Sequence, residues 1–250
     1  MYIKNRLIAI VFRTIGIAFC ILGIISVTFI TGSFSGSVFL YYTVMSNIAV
    51  MLFLIVALGN TIHDLVKHGI HGETSRFPLL SFIVTVDITL TMMVYWCILA
   101  PTSFSMGGTS FLLSYQNIVV HTVVPIFMIL EFLLFTKRRA LKKREAPLVL
   151  IFPYAYLIMA IILGVTGEFF VSVTGVAERF PYDFLDVYVH GWLVLVYVAG
   201  ISFGMMAFAF GYYLIDRFAS RKEVSIYCVS KKGTNLERSG FYIKKDLPVT

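Results

Sequence analysis

Six long apolar runs dominate this 250-residue chain and restrict its fold more than any other feature. A helix that crosses a membrane needs roughly 20 mostly apolar residues, and each run meets that length with few or no charges. Apolar residues make up 59% of the chain and charged residues only 13%, far outside the usual composition of soluble domains. We therefore predict an all-α, polytopic membrane protein, a bundle of six transmembrane helices. The predicted spans cover about residues 7–30, 38–59, 78–100, 115–135, 148–166 and 188–213.

The spans form one transmembrane domain over residues 1–216, followed by a basic tail over residues 217–250. The first run, at about 24 residues, exceeds the roughly 7–15 apolar residues of a signal peptide, and no small-residue cleavage site follows it. We therefore interpret it as an uncleaved first span. Within the tail, "VSIYCVS" is either a short strand or unordered.

Basic residues predict how the bundle is oriented. If the N-terminus is cytoplasmic, nearly all basic residues fall on the cytoplasmic side, as the positive-inside rule requires. They are Lys4, Arg6, Lys67, Arg76, the cluster "KRRALKKR" over 137–144, and the eight from Arg217 onward. The opposite side carries Glu168, Glu178, Asp183 and Asp186. This distribution predicts a cell membrane protein with both termini cytoplasmic and excludes nucleic acid as the reason for the net charge of +7. Anionic lipid headgroups are the expected partners of the basic face, at roughly 1 kcal/mol per residue.

Two polar residues are predicted to lie at the same depth near the outer face. Thr43, in "YYTVMSN", comes about five residues into the second span, roughly 7–8 Å deep at 1.5 Å per residue, and His121 comes about six residues into the fourth, roughly 9 Å deep. Asn47 lies one turn below Thr43 on the same face, and Asn117 lies one turn above His121. The alternative for Thr43 is that its hydroxyl bonds back to a carbonyl of its own helix, as we expect for Thr85, Thr89 and Thr91. The alternative for His121 is that it only joins two helices by a hydrogen bond.

Three motifs together resemble one known family. The segment "HTVVPIFMILEF" over 121–132 is similar to the fourth-span signature of the androgen-induced gene 1 family, which includes the androgen-dependent TFPI-regulating protein and bacterial six-span relatives. The segments "YYTVMSN" over 41–47 and "FPYDFLD" over 180–186 resemble its second-span threonine motif and the element before its last span. The resemblance implies a membrane threonine hydrolase of fatty-acid esters of hydroxy fatty acids. It assigns the nucleophile to Thr43 and the base to His121. Since the neighbours of Thr43 differ from the animal proteins, what transfers is a lipid or long-chain acyl ester substrate.

The chemistry agrees with the residue types. A hydroxyl needs a base within about 2.6–3.2 Å to act as a nucleophile, and burial keeps a histidine neutral and able to accept the proton. Asn47 and Asn117 are candidates to stabilise the oxyanion or to position the catalytic pair, with an interhelical hydrogen bond as the alternative. A third residue that orients His121 is not identified, although some near the outer surface could serve: Glu168, Asp183 and His190.

The remaining charges within the spans leave a different function open. Asp87 lies near the middle of the third span, where an acid often marks an ion path; alternatively it forms a structural ion pair with Arg13 of the first span. The alternative function is therefore a non-enzymatic six-helix protein, either an ion-coupled small-solute carrier or a scaffold. Glu131 is expected near the cytoplasmic boundary, paired with Lys137 or Arg138. No zinc spacing occurs, and the histidines of "HDLVKHGIHGE" over 63–73 lack a recognised ligand pattern, so no metal or other cofactor is predicted.

Overall fold

The protein is a bundle of six long helices. The computed structural model describes residues 2–29, 34–101, 113–171, 176–218 and 223–224. Each helix is long and apolar enough to cross a membrane, as the sequence predicts. They are α1 (Arg6–Thr28), α2 (Tyr42–His68), α3 (Pro78–Leu99), α4 (Tyr115–Phe135), α5 (Lys143–Thr166) and α6 (Leu193–Phe218).

Some helix ends differ from the predicted spans because local turns interrupt the apolar runs. Residues Gly36–Leu40 form a separate 3-10 turn, and Tyr41 is extended, so α2 begins at Tyr42 rather than near Val38. Its far end extends through a polar stretch to His68, where Gly69 with φ 74° ends it. Helix α5 starts with a 3-10 segment, Lys143–Leu150, before the regular helix Ile151–Thr166. Hydropathy alone does not register such turns.

Helix α3 is the centre of the bundle. It packs against α2, α4, α6 and the 3-10 segment of α5. In the apolar stretch of α3, 56% of the residues are buried, against 17% in α6, so α6 lies at the edge. The polar side chains of α3 are largely satisfied within the helix, because Thr85, Thr89 and Thr91 donate to the carbonyl four residues earlier. These three threonines thus have the local role predicted for them.

A buried ion pair ties α1 to α4, and it is not the predicted one. Arg13 donates to Glu131 Oε1 from Nε at 2.9 Å and from Nη2 at 2.5 Å. Its other terminal nitrogen donates to the Ala57 carbonyl and to the Thr61 hydroxyl, both on α2. Neither the pairing of Arg13 with Asp87 nor that of Glu131 with Lys137 or Arg138 is therefore correct. Glu131 is completely buried, which outweighs its closeness in sequence to the basic cluster.

Two short sheets complete the described fold. Tyr2–Ile3 pairs in parallel with Glu223–Val224, and Phe170–Val171 pairs antiparallel with Ala177–Glu178. The second sheet lies in the connection between α5 and α6. Most of the predicted tail, residues 217–250, lies outside the described residues, although α6 itself continues to Phe218.

Candidate active site

Thr43 and His121 meet at one end of the bundle, which we call the His121 end. The Thr43 hydroxyl lies 3.2 Å from Nε2 of His121. Thr43 is half-buried and His121 is 8% exposed, so the pair is shielded but not sealed. This distance agrees with the proximity that the sequence predicts and falls within the range of a hydrogen bond between a nucleophile and its base.

The position of Thr43 within its helix differs from the predicted one. Since α2 begins at Tyr42, Thr43 is in the first turn of the helix rather than five residues inside it. The first N–H groups of a helix have no acceptor within it, and the helix dipole makes this end partly positive. Thr43 consequently lies at the partly positive end of α2, where the N–H groups of Val44 and Met45 donate to the Tyr41 carbonyl.

His121 lies in a widened turn of α4. Residues Val119–Val123 form a π-helical turn, and Pro125 follows two residues later. Proline has no N–H for the carbonyl four residues earlier, here that of His121, and its ring crowds that carbonyl. The helix accommodates this by inserting one residue into the turn, and such turns are frequent at functional sites. Pro125 therefore gives a local reason why the His121 side chain departs from the regular helix face.

The second ring nitrogen of His121 fixes which nitrogen carries the proton. Nδ1 lies 3.0 Å from the backbone carbonyl oxygen of Asn117, which can only accept. In the neutral imidazole, Nδ1 therefore donates and Nε2 faces Thr43 with its lone pair. The group that orients His121 is thus a carbonyl of its own helix, which sequence reasoning did not identify.

The suggested carboxylates make other contacts. Asp183 Oδ2 lies 3.0 Å from His190 Nε2, and Glu168 lies 3.7 Å from Arg179. Both pairs are in the exposed connection before α6. The structure therefore does not bring Glu168, Asp183 or His190 to the pair of Thr43 and His121.

A second π-helical turn packs against the first. It covers Tyr95–Leu99 of α3, and Pro101 again follows two residues later. The Tyr95 ring stacks on the His121 imidazole, with centroids 3.9 Å apart and planes 13° apart, and the Trp96 indole donates to the Thr122 hydroxyl at 2.9 Å. The stack restricts rotation of the His121 ring. Sequence reasoning missed Tyr95, although a proline near the end of an apolar run is a visible signal for such a turn.

Asn47 bridges α2 and α4 beside the pair. Its amide nitrogen donates to the carbonyl of Thr43 at 2.7 Å and to the carbonyl of Val120 at 3.1 Å. Both donor hydrogens are thereby engaged, which fits the predicted positioning role better than the oxyanion role. The two bonds join the backbone of Thr43 on α2 to that of Val120, the residue before His121, on α4. Asn117 likewise contributes its backbone carbonyl, as described above.

Tyr182 belongs to the site although it lies outside the helices. Its phenol lies beside the Thr43 side chain and the backbone of Tyr42, and it lines the same cavity as Thr43 and His121. Burial raises the pKa of Tyr182, and hydrogen bonding with Thr43 opposes the increase without reversing it. Tyr182 is therefore a protonated phenol beside the first turn of α2. Its motif, "FPYDFLD", was noticed in the sequence, but nothing in the residue pattern indicated this contact.

A cavity of about 90 Å³ opens beside Thr43 and His121. Its walls are mostly aromatic and aliphatic, and they include residues of α3, α5 and α6 together with Tyr182 and Phe184. A volume of this size holds several waters or a short length of acyl chain. The pair thus faces a partly open, largely apolar space.

Asp87 lies apart from this cavity. It is 3% exposed and does not line the cavity wall; its carboxyl faces the phenol of Tyr42. Among the described residues, Asp87 Oδ1 has no hydrogen-bond partner. The structure therefore separates the buried acid from the Thr43 and His121 site.

Known proteins add no assignment to this geometry. No protein-family model, curated protein or solved structure matches the chain.

Proposed function

We propose that this protein is an intramembrane hydrolase of lipid or long-chain acyl esters, with Thr43 as nucleophile and His121 as base. The observation that carries the proposal is the 3.2 Å contact between the Thr43 hydroxyl and His121 Nε2. An unactivated hydroxyl is a weak nucleophile, and an adjacent base that is held by a third group is the usual means of activating it. The Asn117 carbonyl is that third group here.

The reaction follows from the His121 tautomer that has its proton on Nδ1 and its lone pair on Nε2. The Thr43 hydroxyl gives its proton to Nε2 of His121 as its oxygen attacks the ester carbonyl. The imidazolium then protonates the leaving alkoxide, which departs as an alcohol and leaves an acyl group on Thr43. Water next gives a proton to Nε2 and attacks the acyl carbonyl, and Thr43 leaves with that proton. The products are one alcohol and one carboxylic acid, and His121 is returned to its neutral form.

The start of α2 favours negative charge on the oxyanion, because the partly positive end of the helix dipole lies beside Thr43. The protonated phenol of Tyr182 lies beside the same turn. We assign oxyanion stabilisation to this helix end and to Tyr182, and not to the Asn47 amide, whose two N–H groups are engaged.

The walls of the cavity support an apolar substrate. Tyr, Phe, Leu and Val side chains dominate the lining, with the polar pair at one end. Ligand sites of this kind orient an apolar molecule by a few polar groups. The three sequence motifs that resemble the androgen-induced gene 1 family agree with this substrate class, and we propose that the chain is a divergent bacterial-type member of that family.

We further propose the orientation predicted from the basic residues. The His121 end then faces the outside of the cell membrane, and the end with Arg6 and the 137–144 cluster faces the cytoplasm and its anionic lipids. In this orientation the hydrolytic water enters from the outer face.

Three variants test the proposal with purified protein and a panel of fluorogenic acyl esters. Thr43→Val is nearly isosteric but lacks the hydroxyl, and should lower kcat by at least about a hundredfold, since several kcal/mol of transition-state stabilisation are lost. His121→Ala should have an effect of the same size. Thr43→Ser keeps the oxygen and is the matched control, so it should retain substantial activity.

Folding and labelling separate catalysis from packing. An interhelical hydrogen bond in a membrane averages only about 0.6 kcal/mol, so the Val variant should still express and insert normally. A fluorophosphonate should modify Thr43 of the wild type and leave the Val and Ala variants unmodified, as measured by intact mass. If Thr43→Val hydrolyses esters as fast as the wild type, the residue has only a packing role and the carrier or scaffold interpretation takes precedence.

A further inference from the structure

The cavity extends from the catalytic pair to the outer helices. Thr43 and His121 line one part of it, and Pro153, Tyr154 and Leu157 of α5 with Val198, Ile201 and Ser202 of α6 line another. This second part of the wall belongs to the least buried helices of the bundle.

This wall reaches the surface that faces lipid. Tyr154 lines the cavity and is also 41% exposed, and the neighbouring side chains of Leu157, Val198 and Ile201 are half-buried. Side chains that are accessible from both sides form a thin barrier. The seam between α5 and α6 is thus the part of the wall where the cavity lies nearest to the hydrocarbon of the membrane.

One hydrogen bond spans the seam. The Tyr154 hydroxyl lies 2.9 Å from the Ser202 hydroxyl, and Ser202 itself donates to the Val198 carbonyl at 2.7 Å. Tyr154 is therefore the donor to Ser202. Within the ranges that the structure describes, no other side-chain hydrogen bond joins α5 to α6. A single neutral bond of this kind contributes little stability inside a membrane, so the seam can open without a large penalty.

We propose that the seam between α5 and α6 is the entrance through which an acyl chain passes sideways from the lipid into the cavity, and that the bond between Tyr154 and Ser202 closes it. The identity of the ligand as an ester rests on the proposed function, whereas entry of an acyl chain through the seam does not. The ligand class is a single flexible hydrocarbon chain, because the wall on both sides of the bond is apolar and narrow.

A photoactivatable substrate tests the route independently of hydrolysis. The probe is a 4-methylumbelliferyl ester of a palmitic acid that carries a diazirine in the middle of its chain. It is mixed with the His121→Ala variant in phosphatidylcholine vesicles, illuminated, and mapped by peptide mass spectrometry. Labelling is expected on Leu157, Val198 and Ile201. Labelling confined to lipid-facing residues of α1 would overturn the proposal.

Obstruction of the seam tests it in the active protein. Ser202→Trp fills the gap and should raise the KM for palmitate esters at least tenfold while the KM for butyrate esters changes less than twofold. Phe203→Trp adds an indole at the next, lipid-facing position and should change neither value. The proposal is wrong if Ser202→Trp, folded as judged by size-exclusion chromatography, leaves the palmitate KM and the photolabelling unchanged.

The two proposals fail in different ways. If no ester is hydrolysed but the probe labels the seam and Ser202→Trp prevents it, only the hydrolase assignment fails. If esters are hydrolysed and the seam is never labelled, only the entrance is wrong. If the Ser202→Trp variant does not fold, photolabelling of the protein with Ser202 unchanged decides whether the seam is the entrance.

Discussion

Removal of the Glu131 carboxylate should strongly destabilise the bundle. Glu131 is 1% exposed and Arg13 is 0% exposed, so both charges are buried. Glu131→Leu leaves the guanidinium with the Ala57 carbonyl and the Thr61 hydroxyl as acceptors but without a negative partner. An uncompensated buried charge is among the few causes of very large destabilisation.

The contacts set the magnitude. Two charge-assisted hydrogen bonds join Arg13 to Glu131 Oε1, and each such bond contributes about 1.5–3 kcal/mol. Their sum agrees with the roughly 3–5 kcal/mol lost when one partner of a buried pair is removed. For a protein of this size, that loss corresponds to a fall in Tm of roughly 6–20 °C.

Unfolding in detergent, followed by tryptophan fluorescence, measures this loss. The matched control is the exposed pair of Lys137 and Glu73, 2.9 Å apart and each more than half exposed, where Lys137→Met should leave the free energy of unfolding nearly unchanged. The double variant Arg13→Met/Glu131→Leu should recover most of the stability, because neither charge remains buried.

Two results would refute this reasoning. A Glu131→Leu variant within about 1 kcal/mol of the wild type would mean that water or relaxation already compensates the Arg13 charge. A double variant as unstable as Glu131→Leu would mean that the side-chain volumes, and not the charges, determine the stability at this position.

Three further predictions concern the site. Asn47→Leu removes both bonds that hold the Thr43 and Val120 carbonyls, so kcat should fall roughly tenfold to a hundredfold; a kcat within twofold of wild type contradicts the positioning role. Tyr95→Leu abolishes the stack on His121 and should lower kcat more than KM is raised, and stopped-assay kinetics on a palmitate ester distinguish the two. Tyr182→Phe removes the proposed oxyanion donor and should lower kcat about tenfold or more with little change in Tm. Because burial raises the pKa of Tyr182 from its already high ordinary value, the phenol stays protonated and its contribution to kcat/KM should be constant from about pH 7 to 9; a decline over that interval that disappears in Tyr182→Phe would show that the phenol ionises.

Hydropathy was sufficient for the architecture because length and apolarity are properties of single segments. Six runs predicted six helices, and the helices occur where the runs do. The bounds of α2 could not be predicted, since the 3-10 turn Gly36–Leu40 is as apolar as the helix that follows it. Its polar end, from Asn60 to His68, is helical because of contacts with Arg6 and Arg76 that hydropathy does not represent.

The site was predictable only where residue type was decisive. A histidine inside a span is rare enough to indicate a site, and Thr43 was found by its depth and by resemblance. Partners in space were not accessible from one sequence: the pairing of Arg13 with Glu131 depends on how three helices face each other. Tyr182 reaches Thr43 from a connection more than a hundred residues away, and no periodicity predicts where a connection folds.

In α3 and in α4, the π-helical turn changes which face of the helix the residues before and after it present. A regular helix advances about 100° per residue, so the one extra residue in each turn rotates everything beyond it by that angle. On α4, the segment with Asn117 and His121 can therefore point at Thr43 while Met128 and Phe132 still point into the core. Deleting one residue from Val119–Val123 would leave the length and hydropathy of the span almost unchanged, yet would turn His121 away from Thr43. In this part of the protein, a change in the number of residues is more damaging than a change in their kind.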